Sequence, residues 1–94
     1  MFVLEKYLEK DDIEQILDTF DSSLLEKLNH ENLLKILNYL LEQKISFWRD
    51  ILIYYLDLCL LDAKDFIDKF EKLKEKYSIE AIEEDLSVLE KMNI

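Results

Sequence analysis

The sequence predicts an all-α fold, a compact bundle of six or seven short helices. Three observations carry that expectation. The 94 residues include no glycine and no proline, whereas tight hairpin turns call for the positive φ that glycine supplies. Apolar residues recur at i, i+3, i+4 and i+7, the period of one helical face. Leu, Ile, Lys, Glu and Asp dominate, and most of them suit helices. A chain of this length makes one domain, 1–94, with room for one modest core.

The elements follow in order. Phe2, Leu4, Tyr7 and Leu8 give a short amphipathic helix over 2–9. Asp11-Asp12 interrupts it and caps a helix whose face is Ile13, Ile16, Leu17 and Phe20. Asp21-Ser22-Ser23 is a stop and restart, and Ser23 with Glu26 has capping-box spacing. A helical turn with Leu24, Leu25 and Leu28 leads to a strong helix over 31–43, with Leu33, Leu34, Ile36, Leu37, Leu40 and Leu41 on its apolar face. Ser46 is the expected cap of a helix over 47–60. There only Arg49, Asp50 and Asp57 are polar, so that helix is expected in the middle of the bundle. Its Trp48, Leu52, Tyr55, Leu58 and Cys59 are expected to be shielded.

Asp62 caps a helix over 63–76 built on Phe66, Ile67, Phe70 and Leu73. Acids come early in it and Lys72, Lys74 and Lys76 come late, as the macrodipole favours. Asp65–Lys69 and Asp68–Lys72 have the spacing of i, i+4 ion pairs. On this reading the helix charges call for no functional explanation. Ser78 caps the last helix, 79–92, with its seam at Ile79, Ile82, Leu86 and Leu89.

Leu28–Glu42 echoes Leu61–Glu75 at an offset of 33, keeping Leu28/Leu61, Leu40/Leu73 and Glu42/Glu75 identical. Offsets of this size are the scale of helix-pair repeats. A second echo sets Asp57–Leu61 against Asp85–Leu89 at an offset of 28. Read as helix, Leu-Leu turn and helix, the stretch 45–89 resembles the repeats of mitochondrial transcription termination factors. Those repeats carry a proline before the leucine pair and form a basic nucleic-acid surface. This chain has no proline and the opposite charge, so that function is not carried over.

No catalytic, cofactor-binding or metal-binding constellation is read, and no enzyme is expected. Without glycine there is no phosphate-cradling loop or dinucleotide fingerprint. His30 and Cys59 are the only residues of their kinds, too few for a histidine–cysteine zinc site. Cys59 reads as a small core residue, and no internal disulfide can form. The amino-terminal residues have no basic lead and no long apolar stretch. No signal peptide is therefore read, and a cytoplasmic location is expected. No run reaches the ~20 apolar residues of a membrane span.

The formal charge of −10 argues against direct nucleic-acid or anionic-membrane binding. The expected role is a non-enzymatic protein–protein interaction module, an adaptor or complex subunit. The alternative is a small acidic inhibitor, of the antitoxin, immunity or phage-antagonist kind, that occupies a basic site on its target. Glu80, Glu83 and Glu84, joined by Asp11, Asp12 and Glu14 if the chain ends meet, form the expected surface for a basic partner protein. Phe47, Tyr54 and Tyr55 are the expected contacts of a homodimer, because the apolar 47–60 helix has more surface than one neighbour covers.

Overall fold

The computed structural model describes residues 2–93 and is all-α. Among these residues the chain forms seven α-helices: α1 (Phe2–Glu5), α2 (Lys10–Thr19), α3 (Ser22–Lys27), α4 (His30–Glu42), α5 (Trp48–Tyr54), α6 (Ala63–Lys76) and α7 (Ile79–Glu84). Two 3-10 helices complete it, the first over Leu56–Leu60 and the second over Leu86–Asn93. The globule measures 33 × 24 × 24 Å.

Three helix starts carry side-chain caps, and those at Asp62 and Ser78 are the ones that the sequence announces. The Asn29 side chain accepts from the Asn32 N–H at 3.0 Å, Asp62 from Lys64 at 3.3 Å, and Ser78 from Ala81 at 3.1 Å. Three others differ. α2 starts at Lys10, so Asp11 and Asp12 lie inside its first turn, and Asp12 reaches back to the Glu9 N–H at 3.3 Å. α3 has no side-chain cap. Its Ser23 hydroxyl instead donates to Asp21 at 3.2 Å, and the Ser23–Glu26 capping box does not form. α5 starts at Trp48 without a side-chain cap, and Ser46 spends its hydroxyl on Glu83.

The two long carboxy-terminal helices expected at 47–60 and 79–92 are each broken. The backbone leaves the helical region at Tyr55 (φ −129, ψ 34) and at Asp85 (φ −139, ψ 88). At Asp85 the cause is local competition. Its carboxylate accepts from the Ser87 N–H at 3.2 Å and the Ser87 hydroxyl at 2.5 Å, bonds that a continuing helix has no use for. At Tyr55 the cause is burial. The tighter 3-10 turn eclipses residues three apart, so Leu56 and Cys59 share one side and are both buried, together with Leu58. A straight helix apolar on every side leaves one face in water.

α4 then ends in a Schellman motif without glycine. The Ile45 N–H bonds to the Leu40 carbonyl at 3.0 Å and the Lys44 N–H to Leu41 at 3.1 Å. Lys44 takes the left-handed position, φ 56, and the flanking Leu40 and Ile45 are both buried.

One continuous core fills the bundle. α4 packs on α6, α2 on α5, and the second 3-10 helix on α6 and α7. Phe66 and Phe70 stack at 6.0 Å between ring centres, and Tyr39 meets Phe70 edge-on at 5.9 Å. Each fully buried Phe or Leu contributes about 1.5–3 kcal/mol. Leu52, Leu58 and Cys59 are buried as expected, whereas Trp48 and Tyr55 are only half-buried.

The order long helix, short helix, 3-10 helix occurs twice, in α4–α5–first 3-10 and in α6–α7–second 3-10. The two long helices start at His30 and Ala63, at the spacing of the first sequence echo. The second echo is out of register. Asp57 lies within the first 3-10 helix, while Asp85 precedes the second.

Candidate functional site

The six acidic residues singled out in the sequence lie on α2 and α7, and two of them are engaged within the chain. Arg49, in the first turn of α5, is paired with Asp12 at 2.5 Å. That hydrogen bond holds the Asp12 carboxyl below the usual carboxylate range. Three residues earlier, the Ser46 hydroxyl donates to Glu83 at 2.5 Å. Acids from both ends of the chain therefore converge on the start of α5. Asp11, Glu14, Glu80 and Glu84 remain exposed.

The three candidate self-association residues separate. Phe47 is 4% exposed and belongs to the core, so it offers almost no contact surface. Tyr54, the last residue of α5, is 50% exposed. Tyr55 sits half-buried at the break beside it.

Tyr54 and Tyr55 line a groove of ≈ 560 Å³ with Phe20, Leu24, Asp57 and Glu90. Phe20 closes α2, Leu24 lies within α3, the two tyrosines end α5, and Glu90 lies within the second 3-10 helix. The groove's lining is aromatic and apolar apart from the two acids, and no base lines it. Burial raises the Tyr55 hydroxyl pKa, and the carboxylates of Glu90, Asp85 and Asp57 raise it further.

A second groove, ≈ 300 Å³, has the opposite character. Lys69, Lys72 and Lys76 of α6 and Lys91 of the second 3-10 helix surround it, over Leu73, Tyr77 and Met92. The Lys91 ammonium lies 5.5 Å from the centre of the Tyr77 ring. The expected ion pairs Asp65–Lys69 and Asp68–Lys72 do not form. The neighbouring Lys74 pairs with Glu71 at 3.1 Å instead. Sequence reasoning assigned Lys72 and Lys76 to the helix dipole and Lys69 to an ion pair with Asp65, and passed over the groove, because Lys91 joins them only through tertiary packing.

Elsewhere the chemistry is quiet. His30 is exposed at the first position of α4. Cys59 is buried, and burial, with a smaller effect of Asp57, pushes its thiol up to about 12. Among the described residues no group of three or more His, Cys, Asp or Glu side chains is placed to hold a metal ion. No helix among them is long and apolar enough to cross a membrane.

No protein-family model matches the chain, and no curated protein or solved structure matches it either.

Proposed function

We propose that the chain is a non-enzymatic protein-interaction module whose tyrosine groove receives an apolar segment of a basic partner protein. One observation carries this reading: Phe20, Tyr54 and Tyr55 line one groove whose charged lining residues are carboxylates alone, Asp57 and Glu90. Tyrosine combines a large apolar area with a polar tip and is enriched at protein interfaces. Carboxylates beside it favour a ligand with lysine or arginine next to its apolar side chain. A second copy is the poorer occupant, since a symmetric dimer through this groove sets Asp57 and Glu90 against their own images. A cytoplasmic location belongs to the same reading, supported by the single unpaired cysteine.

The narrower reading, an acidic inhibitor that covers a basic site, is favoured by the exposed Asp11, Glu14, Glu80 and Glu84 flanking the start of α5. Salt separates the two. A contact made by exposed carboxylates alone fades as the Debye length drops below ~10 Å, while a seated apolar side chain keeps holding.

Selection from a displayed peptide library tests the proposal. The expected ligands combine Lys or Arg with large apolar residues. They lose binding to Tyr54→Ser and to Glu90→Lys and keep it to Leu17→Ser, an exposed position outside the lining of the groove. Ligands without basic residues, or ligands indifferent to Tyr54→Ser, refute it.

A further inference from the structure

A chain with 22 acidic residues and a net charge of −10 has nevertheless gathered four of its lysines around one small groove and placed no carboxylate in its lining. Lys69, Lys72 and Lys76 follow one another down a single face of α6, at i, i+3 and i+7. None of the three makes an ion pair among the described residues. Lys76 offsets the negative end of the α6 dipole, an effect confined to the last turn. That leaves three charges outside it. Lys72 lies one turn and Lys69 two turns from the helix end, and Lys91 arrives from a different element. Four ammonium groups around one groove repel one another, and an anion seated between them removes that cost.

The floor narrows the chemistry. Leu73 and Met92 are nearly fully buried beneath the lysines, so the apolar surface the groove offers beside its charges is that of the half-buried Tyr77. Its volume of ≈ 300 Å³ lies at the small end of ligand sites, which run from about 300 to 1,000 Å³. Extended polyanions are disfavoured. Beyond the groove they meet Glu75 and Glu90, both exposed, and a protein surface that is acidic overall. The anion that fits carries its charge compactly.

We propose that this groove binds a small phosphorylated ligand with an apolar body, of the nucleotide class. Its phosphates accept from Lys69, Lys72, Lys76 and Lys91, and the apolar body rests on the exposed part of Tyr77. Lysine binds phosphate as a point charge, with three rotatable donors on each ammonium, so the site needs no glycine loop. It lies on α6, apart from the tyrosine groove, and its success or failure is independent of the proposed partner binding.

Amide chemical-shift titration of the whole chain tests it, with ATP, pyrophosphate, adenosine and sulfate at matched ionic strength. ATP is expected to give saturable shifts at Tyr77 and Met92, with pyrophosphate weaker and sulfate unsaturable. The variant Lys69→Gln/Lys91→Gln, both positions exposed or half-exposed, is expected to keep its helical circular dichroism. Its apparent Kd for ATP is expected to rise about tenfold or more, while Lys10→Gln/Lys35→Gln leaves the Kd unchanged. Linear shifts with every anion, or undiminished ATP binding in the double variant, overturn the site. Adenosine binding as well as ATP overturns its anion selectivity, and pyrophosphate binding as tightly as ATP overturns the apolar body. Tighter binding of duplex DNA than of ATP at equal phosphate concentration overturns the small-ligand assignment.

Discussion

The side chain of Asn32 caps a helix other than its own: its Oδ1 accepts the Ala63 N–H at 2.7 Å, while its Nδ2 donates to the Leu61 carbonyl at 2.7 Å. Ala63 is the first residue of α6, where an N–H has no acceptor within the helix. One amide thus satisfies a donor and an acceptor at the junction between the first 3-10 helix and α6, and fixes α4 against both. Asn32→Ala leaves both partners unmet in a partly buried place and is expected to cost about 1–3 kcal/mol. Asn32→Asp keeps the acceptor but sets a carboxylate against the Leu61 carbonyl, and is expected to fall between. Urea unfolding of the three proteins reads the order directly. An alanine variant as stable as the parent refutes the bridging role.

Lys44 occupies a left-handed position, φ 56, in a chain that has no glycine to place there. A side chain with a Cβ pays roughly 1–2 kcal/mol in that region. Lys44→Gly relieves it but loosens the unfolded chain. The expected net gain is about 0.5–1 kcal/mol, seen as a higher urea midpoint. Lys44→Val is expected to lower the midpoint, because branching at Cβ makes the same φ worse.

These two positions mark what sequence reading reaches. The caps Asp62 and Ser78 were legible because each bonds to an N–H two or three residues along the same chain. Apolar spacing likewise announced Leu33, Ile36, Leu37, Phe66 and Phe70 as core. Asn32 was not legible, since its partners lie some thirty residues away and only packing brings them near. The breaks at Tyr55 and Asp85 escaped for related reasons. Periodicity records which side chains are apolar, not whether the neighbours suffice to cover every face of one straight helix. The tyrosine groove was half legible. Tyr54 and Tyr55 stood out as excess apolar surface, but Phe20 and Glu90 join them from opposite ends of the chain.

Alkaline pH is expected to weaken the fold. Burial raises the Cys59 thiol from an ordinary 9.0 to about 12. The folded state therefore holds the proton that the unfolded chain releases. For a raised pKa this contribution is fully present below 9.0 and is lost as pH rises through about 12. Tyr39, raised first by burial and then by its hydrogen bond to Glu71, acts in the same direction above 10.0. Urea midpoints are expected to drop from about pH 8 to about pH 10.5, and Cys59→Ala is expected to flatten part of that drop. Equal slopes in both proteins contradict the buried thiol. Native-state labelling of Cys59 is expected to be slow, because thiolate forms only on opening.

Leu52 and Leu17 provide the sharpest contrast between core and surface. Leu52 is 0% exposed, at the centre of α5, whereas Leu17 is 51% exposed on α2. Truncating Leu52 removes its contacts and leaves a cavity that close-packed neighbours fill only in part, so Leu52→Ala is expected to cost about 2–5 kcal/mol. Leu17→Ala exchanges exposed methyls for water and is expected to stay within about 0.5 kcal/mol of the parent. Trp48 provides an internal reporter. It stands four residues before Leu52 on the same face of α5, half-buried. Its emission in the parent is expected between that of a shielded and a water-exposed indole, and Leu52→Ala is expected to move it towards the red while Leu17→Ala leaves it in place. A Leu52→Ala protein with parental stability and unshifted emission contradicts the placement of α5 in the core.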